Sequence, residues 1–252
     1  MNNLIKLLTI LSLTIISYSN FADDHMQAPT FFPLEGFACN YNSGKDSDDL
    51  AKVIEEWNEY VDTTGVTYNA WIFTPYYFSE DMTADTIWIG VAPTWEEMME
   101  AAETMTSEEG QKIQAKFDRI SDCYDHTSWG LEIVRASDEY GDGLATTQWC
   151  SLNEGVTREQ VLAADKKMNA YLDEENVSGG VSRWWAGSGL PSRFDADMLW
   201  VQTASSMTEY GRRVDRAVNR GGNQVMGSLY GDLMSCKNRE VFSVNAVRIS
   251  QN

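Results

Sequence analysis

Residues 39–44 read CNYNSG and residues 150–155 read CSLNEG, so the pattern Cys-x-x-Asn-x-Gly occurs twice, 111 positions apart. Further identities follow in the same order: Tyr60 matches Tyr171 at an offset of 111, Trp88 matches Trp200 at 112, and Cys123 matches Cys236 at 113. The offset drifts by only two residues over about 85 positions, which two small insertions explain. We interpret the sequence as an internal duplication.

The two repeats are predicted at residues 31–137 and 145–250, each close to the usual size of one domain, roughly 100 residues. Residues 138–144 lie between them, and their polar and glycine-containing composition is typical of a linker. The chain is therefore expected to fold as two similar halves.

Residues 1–22 are predicted to be a signal peptide. Lys6 precedes an apolar run at residues 7–16, which is too short to span a bilayer, and small residues then offer cleavage after Ala22 or Ser19. An uncleaved anchor is the alternative interpretation. We expect a soluble protein that is periplasmic or secreted, with no membrane contact after cleavage.

The four cysteines favour disulfides, because an even number of cysteines in an exported protein usually forms pairs. Four cysteines allow three pairings, and the duplication selects the one that repeats, Cys39 with Cys123 and Cys150 with Cys236. A metal site is the rival interpretation, but the sequence has no Cys-x-x-Cys and only two histidines. No metal site is expected.

The apolar spacing of the first repeat predicts the order β-α-β-β-α-α-β. It indicates a strand at 31–41, a helix capped by Asp46, Ser47 or Asp48 and stopped at 63–65, strands at 66–77 and 84–92, helices at 95–105 and 107–120, and a strand at 127–136. The second repeat gives the same order at 145–152, 157–175, 180–189, 196–204, 206–219, 222–235 and 239–250.

This split βαβ order is the ferredoxin-like layout. In a sheet ordered 4-1-3-2, the end of the first strand lies beside the start of the fourth, which brings Cys39 and Cys123 to the same edge. Two such units in one chain, each with an extra short helix before its last strand, resemble the dimeric α/β-barrel superfamily in tandem form, including the antibiotic-biosynthesis-monooxygenase group. The resemblance rests on element order; no catalytic residue of those families is matched.

The resemblance implies an α+β fold in which two ferredoxin-like βαββαβ repeats form one intramolecular, pseudo-dimeric α/β barrel. It also implies a cavity between the sheet and the helices of each unit. We expect a monomer with two halves that pack like the subunits of a dimer, and no cofactor is predicted.

Tryptophans are concentrated on the second and third strands of each repeat. They either pack in the core and barrel interface or line a pocket for a flat or apolar ligand. Alternation places Trp88 on the opposite face from Ile87 and Ile89. The candidate ligand-binding tryptophans are Trp71, Trp88, Trp184 and Trp200, and Trp185 lies beside them.

Asn42, Asn153 and His126 are the polar candidates. The asparagines of the opening motif either form the turn after the first strand or orient a ligand carbonyl or phenol. His126 is a candidate general base or haem ligand, against the alternative of a surface histidine beside Asp125. The equivalent of His126 in the second repeat is Arg239.

Asp165 replaces Ile54 on the apolar stripe of the first helix of the second repeat. Because an unpaired buried carboxylate is costly, Asp165 is expected either at the edge of the stripe or facing a polar cavity. If it faces a cavity, the second repeat holds the ligand site, with Arg183 or the Arg212–Arg220 row as the counter-charge. We therefore predict that any site is not duplicated.

The charge is distributed unequally. Residues 23–140 contain 25 acidic and 6 basic residues, whereas residues 141–252 contain 13 and 12. Nucleic acid is an unsuitable partner for such a chain, because phosphate binding needs a basic surface. Arg212, Arg216 and Arg220, with Arg213 beside them, form either a solvated helix face, an anion site or a contact for the acidic half.

Three functional hypotheses follow. The first is an exported protein that binds a small aromatic or apolar molecule, and the second is a cofactor-independent oxygenase or isomerase of the dimeric α/β-barrel type. The third is a purely structural protein, favoured if the tryptophans fill the interior. His126, Tyr76, Asn42 and Asn153 pointing inward together would favour the enzyme, and an apolar lining would favour binding. The sequence lacks the motifs of hydrolases, kinases and nicotinamide enzymes.

Overall fold

The computed structural model describes residues 30–137 and 140–250. The first half contains β1 (Phe32–Tyr41), α1 (Ser47–Thr64), β2 (Asn69–Tyr77), β3 (Thr86–Val91), α2 (Trp95–Thr104), α3 (Glu108–Ile120) and β4 (Ser121–Arg135). The second contains β5 (Gly143–Leu152), α4 (Arg158–Glu174), β6 (Val181–Ala186), β7 (Met198–Ala204), α5 (Met207–Asn219), α6 (Gly222–Tyr230) and β8 (Met234–Arg248). The predicted element order is confirmed in both halves, whereas the predicted signal peptide lies outside the described residues.

The helix α1 begins and ends where its sequence predicts. The side chain of Asp46 accepts hydrogen bonds from the backbone amides of Asp48 and Asp49, at 3.0 and 3.2 Å, and so satisfies two of the unpaired donors of the first turn. Gly65 ends the helix with φ of 75°, a left-handed conformation that glycine adopts at low cost.

The last strand of each half begins earlier than predicted. The strand β4 starts at Ser121 rather than at 127, and β8 starts at Met234 rather than at 239. Most of the residues that precede the predicted starts are polar, so the sequence alone does not indicate a strand there. They are strand because β1 and β5 pair with them, in the first half across a bulge between Ala38 and Cys39.

Eight antiparallel strands form a closed barrel in the order β1-β3-β2-β8-β5-β7-β6-β4. Within each half this gives the predicted orders β4-β1-β3-β2 and β8-β5-β7-β6. The barrel closes because β2 pairs with β8 and β4 pairs with β6, so each seam joins the two halves. Closure leaves neither four-stranded sheet with an unpaired edge.

Each sheet has one face toward the barrel interior and one toward its helices. Ile87 and Ile89 of β3 belong to the apolar barrel core, together with Phe73 and Trp184. Trp88, between them, packs on the helix side, as alternation predicts. The helix-facing surface is therefore the place where a cavity can form in each half.

Both predicted disulfides are present. Cys39 is bonded to Cys123 and Cys150 to Cys236, with sequence separations of 84 and 86 residues. Each pair occupies facing positions of neighbouring strands, β1 with β4 and β5 with β8. The two bridges indicate an oxidising compartment. Across residues 30–137 and 140–250, the chain forms no helix with the length and apolar character needed to cross a membrane.

Candidate functional site

The first half contains a cavity of about 520 Å³ between its sheet and its helices. Its floor is β1, β3 and the start of β4, and its cover comes from α1, α2 and α3. Ligand sites in proteins have volumes of about 300–1,000 Å³, so the cavity is large enough for a small organic molecule.

Aliphatic and aromatic side chains form most of the wall. The indole of Trp88 stands at right angles to Trp57, with ring centroids 4.9 Å apart, and also to Phe117, at 6.0 Å. Other apolar groups on the wall are Phe37, Leu50, Val61, Val66, Ile72 and Met105. Both cysteines of the first disulfide, Cys39 and Cys123, also line the cavity.

A polar group of three hydrogen-bonded side chains, Glu35, Tyr68 and His126, lies on the same wall. The hydroxyl of Tyr68 donates to Oε1 of Glu35 at 2.7 Å and accepts a hydrogen bond from Nε1 of Trp88 at 3.0 Å. Nε2 of His126 lies 2.8 Å from the other carboxylate oxygen, Oε2 of Glu35. Glu35 therefore joins Tyr68 to His126, and its side chain is only 17% exposed.

Tyr68 reaches Glu35 because Gly90 has no side chain. Gly90 faces Glu35 in the β1–β3 ladder, and a Cβ at this position would lie 1.7 Å from the Tyr68 hydroxyl. The ring of Tyr68 thus occupies the space above the glycine. Burial and the neighbouring charge of Glu35 raise the pKa of Tyr68 well above its ordinary value, so the phenol stays neutral and acts as a donor.

His126 lies on β4 at the rim of the cavity. Its ring stacks on Phe37, with centroids 3.8 Å apart and planes 15° from parallel, and its side chain is 58% exposed. Of the polar residues predicted from the sequence, His126 is the one that lines this cavity. Its stacked ring and its bond to Glu35 hold it in one orientation.

The second half has charged side chains where the first half has apolar ones. Arg183 occupies the position of Ile72, opposite Trp200 as Ile72 is opposite Trp88. Asp165 takes the place of Ile54, and Tyr230 that of Phe117. Arg183 is 1% exposed, and Asp165 and Tyr230 are each 6% exposed.

These groups satisfy one another. Asp165 accepts hydrogen bonds from Nη2 of Arg183 and from the hydroxyl of Tyr230, the latter at 2.7 Å. Nη1 of Arg183 donates to Glu132 at 3.2 Å, and its guanidinium lies 5.1 Å from the centre of the Trp200 ring. The expectation that Asp165 sits at an edge or faces a cavity is corrected: it is buried and paired, with the predicted counter-charge Arg183.

Glu132 anchors this charged cluster from β4. It also accepts hydrogen bonds from Arg158 and from Nε1 of Trp185, both at 2.8 Å. Burial alone would raise the pKa of Glu132, but the bond from Trp185 and the charges of Arg183 and Arg158 outweigh it, so the pKa is lowered. The second-half cavity measures about 90 Å³, and neither Asp165 nor Arg183 lines it.

The remaining predicted residues are not brought together. Asn42 donates to the carbonyl of Asp118 at 3.0 Å, and the backbone amide of Asn153 donates to Leu233 at 2.9 Å, so both fasten the turn after a first strand. Trp71 and Trp184 pack in the barrel core. Tyr76 is exposed and contacts the ring of Tyr77 edge to face.

The arginine row of α5 is paired within its own half. Arg212 bonds to Glu209, Arg216 to Glu175 and Arg220 to Asp215. Arg213 donates to the backbone carbonyls of Thr203 and Ser178, and burial lowers its pKa to about 10. Among the described residues, no group of three or more His, Cys, Asp or Glu is arranged to hold a metal ion.

Solved structures match this chain over most of its length. A protein assigned as a chlorite dismutase matches with a TM-score of 0.53 and 11% identity, over 86% of this chain and 96% of that one. A protein of Lactobacillus acidophilus assigned as a monooxygenase gives 0.50 and 9%, over 86% and 94%. The chain has the dimeric α/β-barrel fold.

A third structure with this fold, a variant of DypB from Rhodococcus jostii RHA1 in complex with heme, matches with a TM-score of 0.52 and 11% identity, over 87% of this chain and 94% of that one. No protein-family model and no curated protein matches the sequence. At such identities the α/β-barrel likeness shows the fold alone.

Sequence reasoning missed Glu35 and Tyr68. Their partners are distant in the chain, since Glu35 is 33 residues from Tyr68 and 91 from His126. One signal was present: Glu35 shares a strand face with Phe37 and Cys39, which point toward the helices rather than toward solvent.

Proposed function

We propose that this protein binds a small molecule with an apolar or aromatic body in the cavity of its first half. The observation that carries the proposal is the cavity itself, about 520 Å³ with an apolar wall and one connected polar group at Glu35. Ligand sites commonly combine a mostly apolar lining with a few polar groups that orient the ligand. A purely structural role loses support, because the tryptophans leave this space unfilled.

The same reasoning supports a single site per chain. The equivalents of Glu35, Tyr68 and Gly90 in the second half are Thr146, Gly179 and Gln202, so the polar group is not repeated. The space between sheet and helices that forms the cavity in the first half is occupied in the second half by Arg183, Asp165 and Tyr230. The ligand is held in the first half, and the second half closes the barrel.

We further propose that the protein acts as a monomer outside the cytoplasm. The two disulfides and the apolar run at residues 7–16 support export to the periplasm or the medium. Pairing of both sheet edges within one chain supports a monomer. The excess of acidic residues in the first half argues against nucleic acid as a partner.

Titration with N-phenyl-1-naphthylamine, a neutral dye that fluoresces in apolar sites, tests the proposal. The wild-type protein is expected to bind about one dye per chain. Ala101 lines the cavity on α2, so Ala101→Phe should fill part of it and weaken dye binding at least about tenfold.

Ala115→Phe is the matched control, because Ala115 is exposed on α3 and does not line the cavity. It should bind the dye as the wild type does. Equal binding by all three proteins, or two equal sites per chain, would contradict the proposal. If the dye binds as expected, native mass spectrometry of the protein purified from its own host would identify the natural ligand that it retains.

A second candidate function is cofactor-independent proton transfer to or from a bound molecule. The observation in its favour is that Glu35 lies on the cavity wall between Tyr68 and His126, within hydrogen-bond distance of both. A carboxylate in this setting can act as a general base, and a neutral tyrosine can donate a hydrogen bond to a developing oxyanion. Glu35→Gln should then abolish turnover of a bound substrate while the dye still binds.

Haem does not fit the residues of this cavity. Haem iron is held by histidine, cysteine, methionine or tyrosine. Here the hydroxyl of Tyr68 is bonded to Glu35 and all four cysteines are in disulfides, while the described wall has three carboxylates and no lysine or arginine to pair with the negatively charged haem propionates. The remaining donors on the described wall are His126 and Met105, so it supplies a ligand for iron without a counter-charge for the propionates. We therefore do not propose haem as a cofactor.

A further inference from the structure

The charges on the cavity wall are of one sign. Glu35 lies on the sheet side, and Asp118 and Asp122 lie at the exposed rim. No lysine or arginine is among the described residues that line the cavity, and His126 is the one basic side chain there. The wall therefore favours positive charge over negative charge.

Basic groups near the cavity pair with other residues: Arg248, which lies 6.0 Å from the centre of the Trp57 ring, pairs with Asp62. Lys116 and Lys112 project from α3, the helix that covers the cavity, but they pair with Glu56 and Glu108 on the outer surface. His126 is paired with Glu35. The surrounding half carries 25 acidic and 6 basic residues between positions 23 and 140, so its field attracts cations to the opening.

Trp57 and Trp88 line the same cavity as Glu35. Trp88 stands 88° from the plane of Trp57 and 79° from that of Phe117. This edge-to-face packing fixes the positions of the rings, and an aromatic face on the wall attracts an ammonium group because it is electron-rich. Aromatic side chains and a carboxylate therefore occur in one cavity.

We propose that the ligand is an organic cation, an ammonium or amidinium group attached to an apolar or aromatic body. This inference rests on the proposed binding function and specifies the chemistry of the ligand. The positive group lies near Glu35 and the ring of Trp88, and the apolar body extends toward Leu50 and Phe117. A neutral molecule of the same shape would gain the apolar contacts alone.

Phenyltrimethylammonium and its neutral isostere tert-butylbenzene test the proposal by competition with N-phenyl-1-naphthylamine. The cation is expected to bind at least about tenfold more tightly than the isostere. Glu35→Gln keeps an acceptor for Tyr68 but removes the charge, so it should reduce the cation's affinity to within about threefold of that of the isostere. Affinity for tert-butylbenzene should not change in this variant.

Glu109→Gln is the control, because Glu109 is exposed on α3 and lies outside the cavity. It should leave the preference for the cation intact, which separates a contact at Glu35 from the general field of the acidic half. Equal or tighter binding of tert-butylbenzene, failure of both probes to displace the dye, or an unchanged preference in Glu35→Gln would overturn the cation proposal while the binding function stands. Failure of the dye to bind the wild-type cavity would overturn both.

Discussion

Gly90 and Tyr68 depend on each other at the scale of single residues. The tyrosine ring lies where a side chain at position 90 would be, and its hydroxyl links Glu35 to Trp88. Because Tyr68 is buried, it has little freedom to move aside. The identity of residue 90 therefore determines whether the polar group of the cavity forms.

Gly90→Ala is expected to lower the free energy of unfolding by about 1–3 kcal/mol, because the added methyl group collides with Tyr68. It should also weaken dye binding. Urea denaturation followed by circular dichroism measures the first effect. Gly211→Ala on α5 is the control: nothing lies within 4 Å of its Cβ, so the substitution should be neutral or stabilise by about 0.5–1 kcal/mol. Equal stability of Gly90→Ala and wild type would contradict the predicted collision with Tyr68.

Tyr68 and Tyr230 should make the protein lose stability in alkali. Burial, followed by the charge of Glu35 or Asp165, raises the pKa of each phenol above its ordinary value. The unfolded chain then releases these protons near pH 10 while the folded chain keeps them. Stability is thus full below about pH 10 and falls above it, by about 1.4 kcal/mol per pH unit for each tyrosine.

Urea unfolding at a series of pH values between 8 and 11.5 measures this slope. The Tyr68→Phe variant lacks one of the two phenols, so its stability should fall less steeply above pH 10 than that of the wild type. Parallel curves for the two proteins would show that Tyr68 ionises equally in both states.

At the scale of elements, α4 and β6 are joined by a buried ion pair where α1 and β2 are joined by aliphatic contact. Asp165 and Arg183 lie at the positions of Ile54 and Ile72. Arg183 also pairs with Glu132, but both charges are shielded from water, so removing either one leaves the other with too few partners. The pair should behave as a unit on substitution.

Asp165→Ile alone is expected to lower the free energy of unfolding by about 3–5 kcal/mol, because Arg183 loses a buried partner. Adding Arg183→Ile should recover part of that loss and restore the residue pair found in the first half. A double-mutant cycle in urea measures the coupling. Losses that simply add would mean that the two side chains act independently.

Element order could be predicted from the sequence because it depends on local signals: alternation in β3, the cap at Asp46 and the stop at Gly65. The disulfides followed from the repeat and the sheet order. The site could not be predicted in the same way. Glu35, Tyr68 and His126 are scattered along the chain, and only strand pairing and the missing side chain of Gly90 bring them together.

At the scale of the whole molecule, the two disulfides fasten equivalent strand pairs in loops of nearly equal length. Only the first, Cys39–Cys123, forms part of the wall of the large cavity. Their effects on stability should therefore agree, and their effects on binding should differ.

Replacing either pair with alanine is expected to lower the free energy of unfolding by about 4 kcal/mol, since each bridge restricts the unfolded chain to a similar degree. The Cys39→Ala/Cys123→Ala variant should also bind the dye more weakly, whereas Cys150→Ala/Cys236→Ala should bind it as the wild type does. Thermal unfolding and dye titration on the same samples measure both. Identical dye affinity in the two variants would argue that the first bridge does not border the ligand.

The pairings β2–β8 and β4–β6 join two repeats that belong to one chain, and this allows the repeats to differ from each other. In a homodimer with twofold symmetry, one gene encodes both subunits, so an arginine at the position of Ile72 would fill both interiors at once. Covalent fusion removes that constraint, because each copy has its own codons. Arg183 can then fill the space in the second half while Ile72 leaves the cavity of the first half open. Every molecule therefore contains one filled half and one open half, a fixed ratio that no homodimer can maintain.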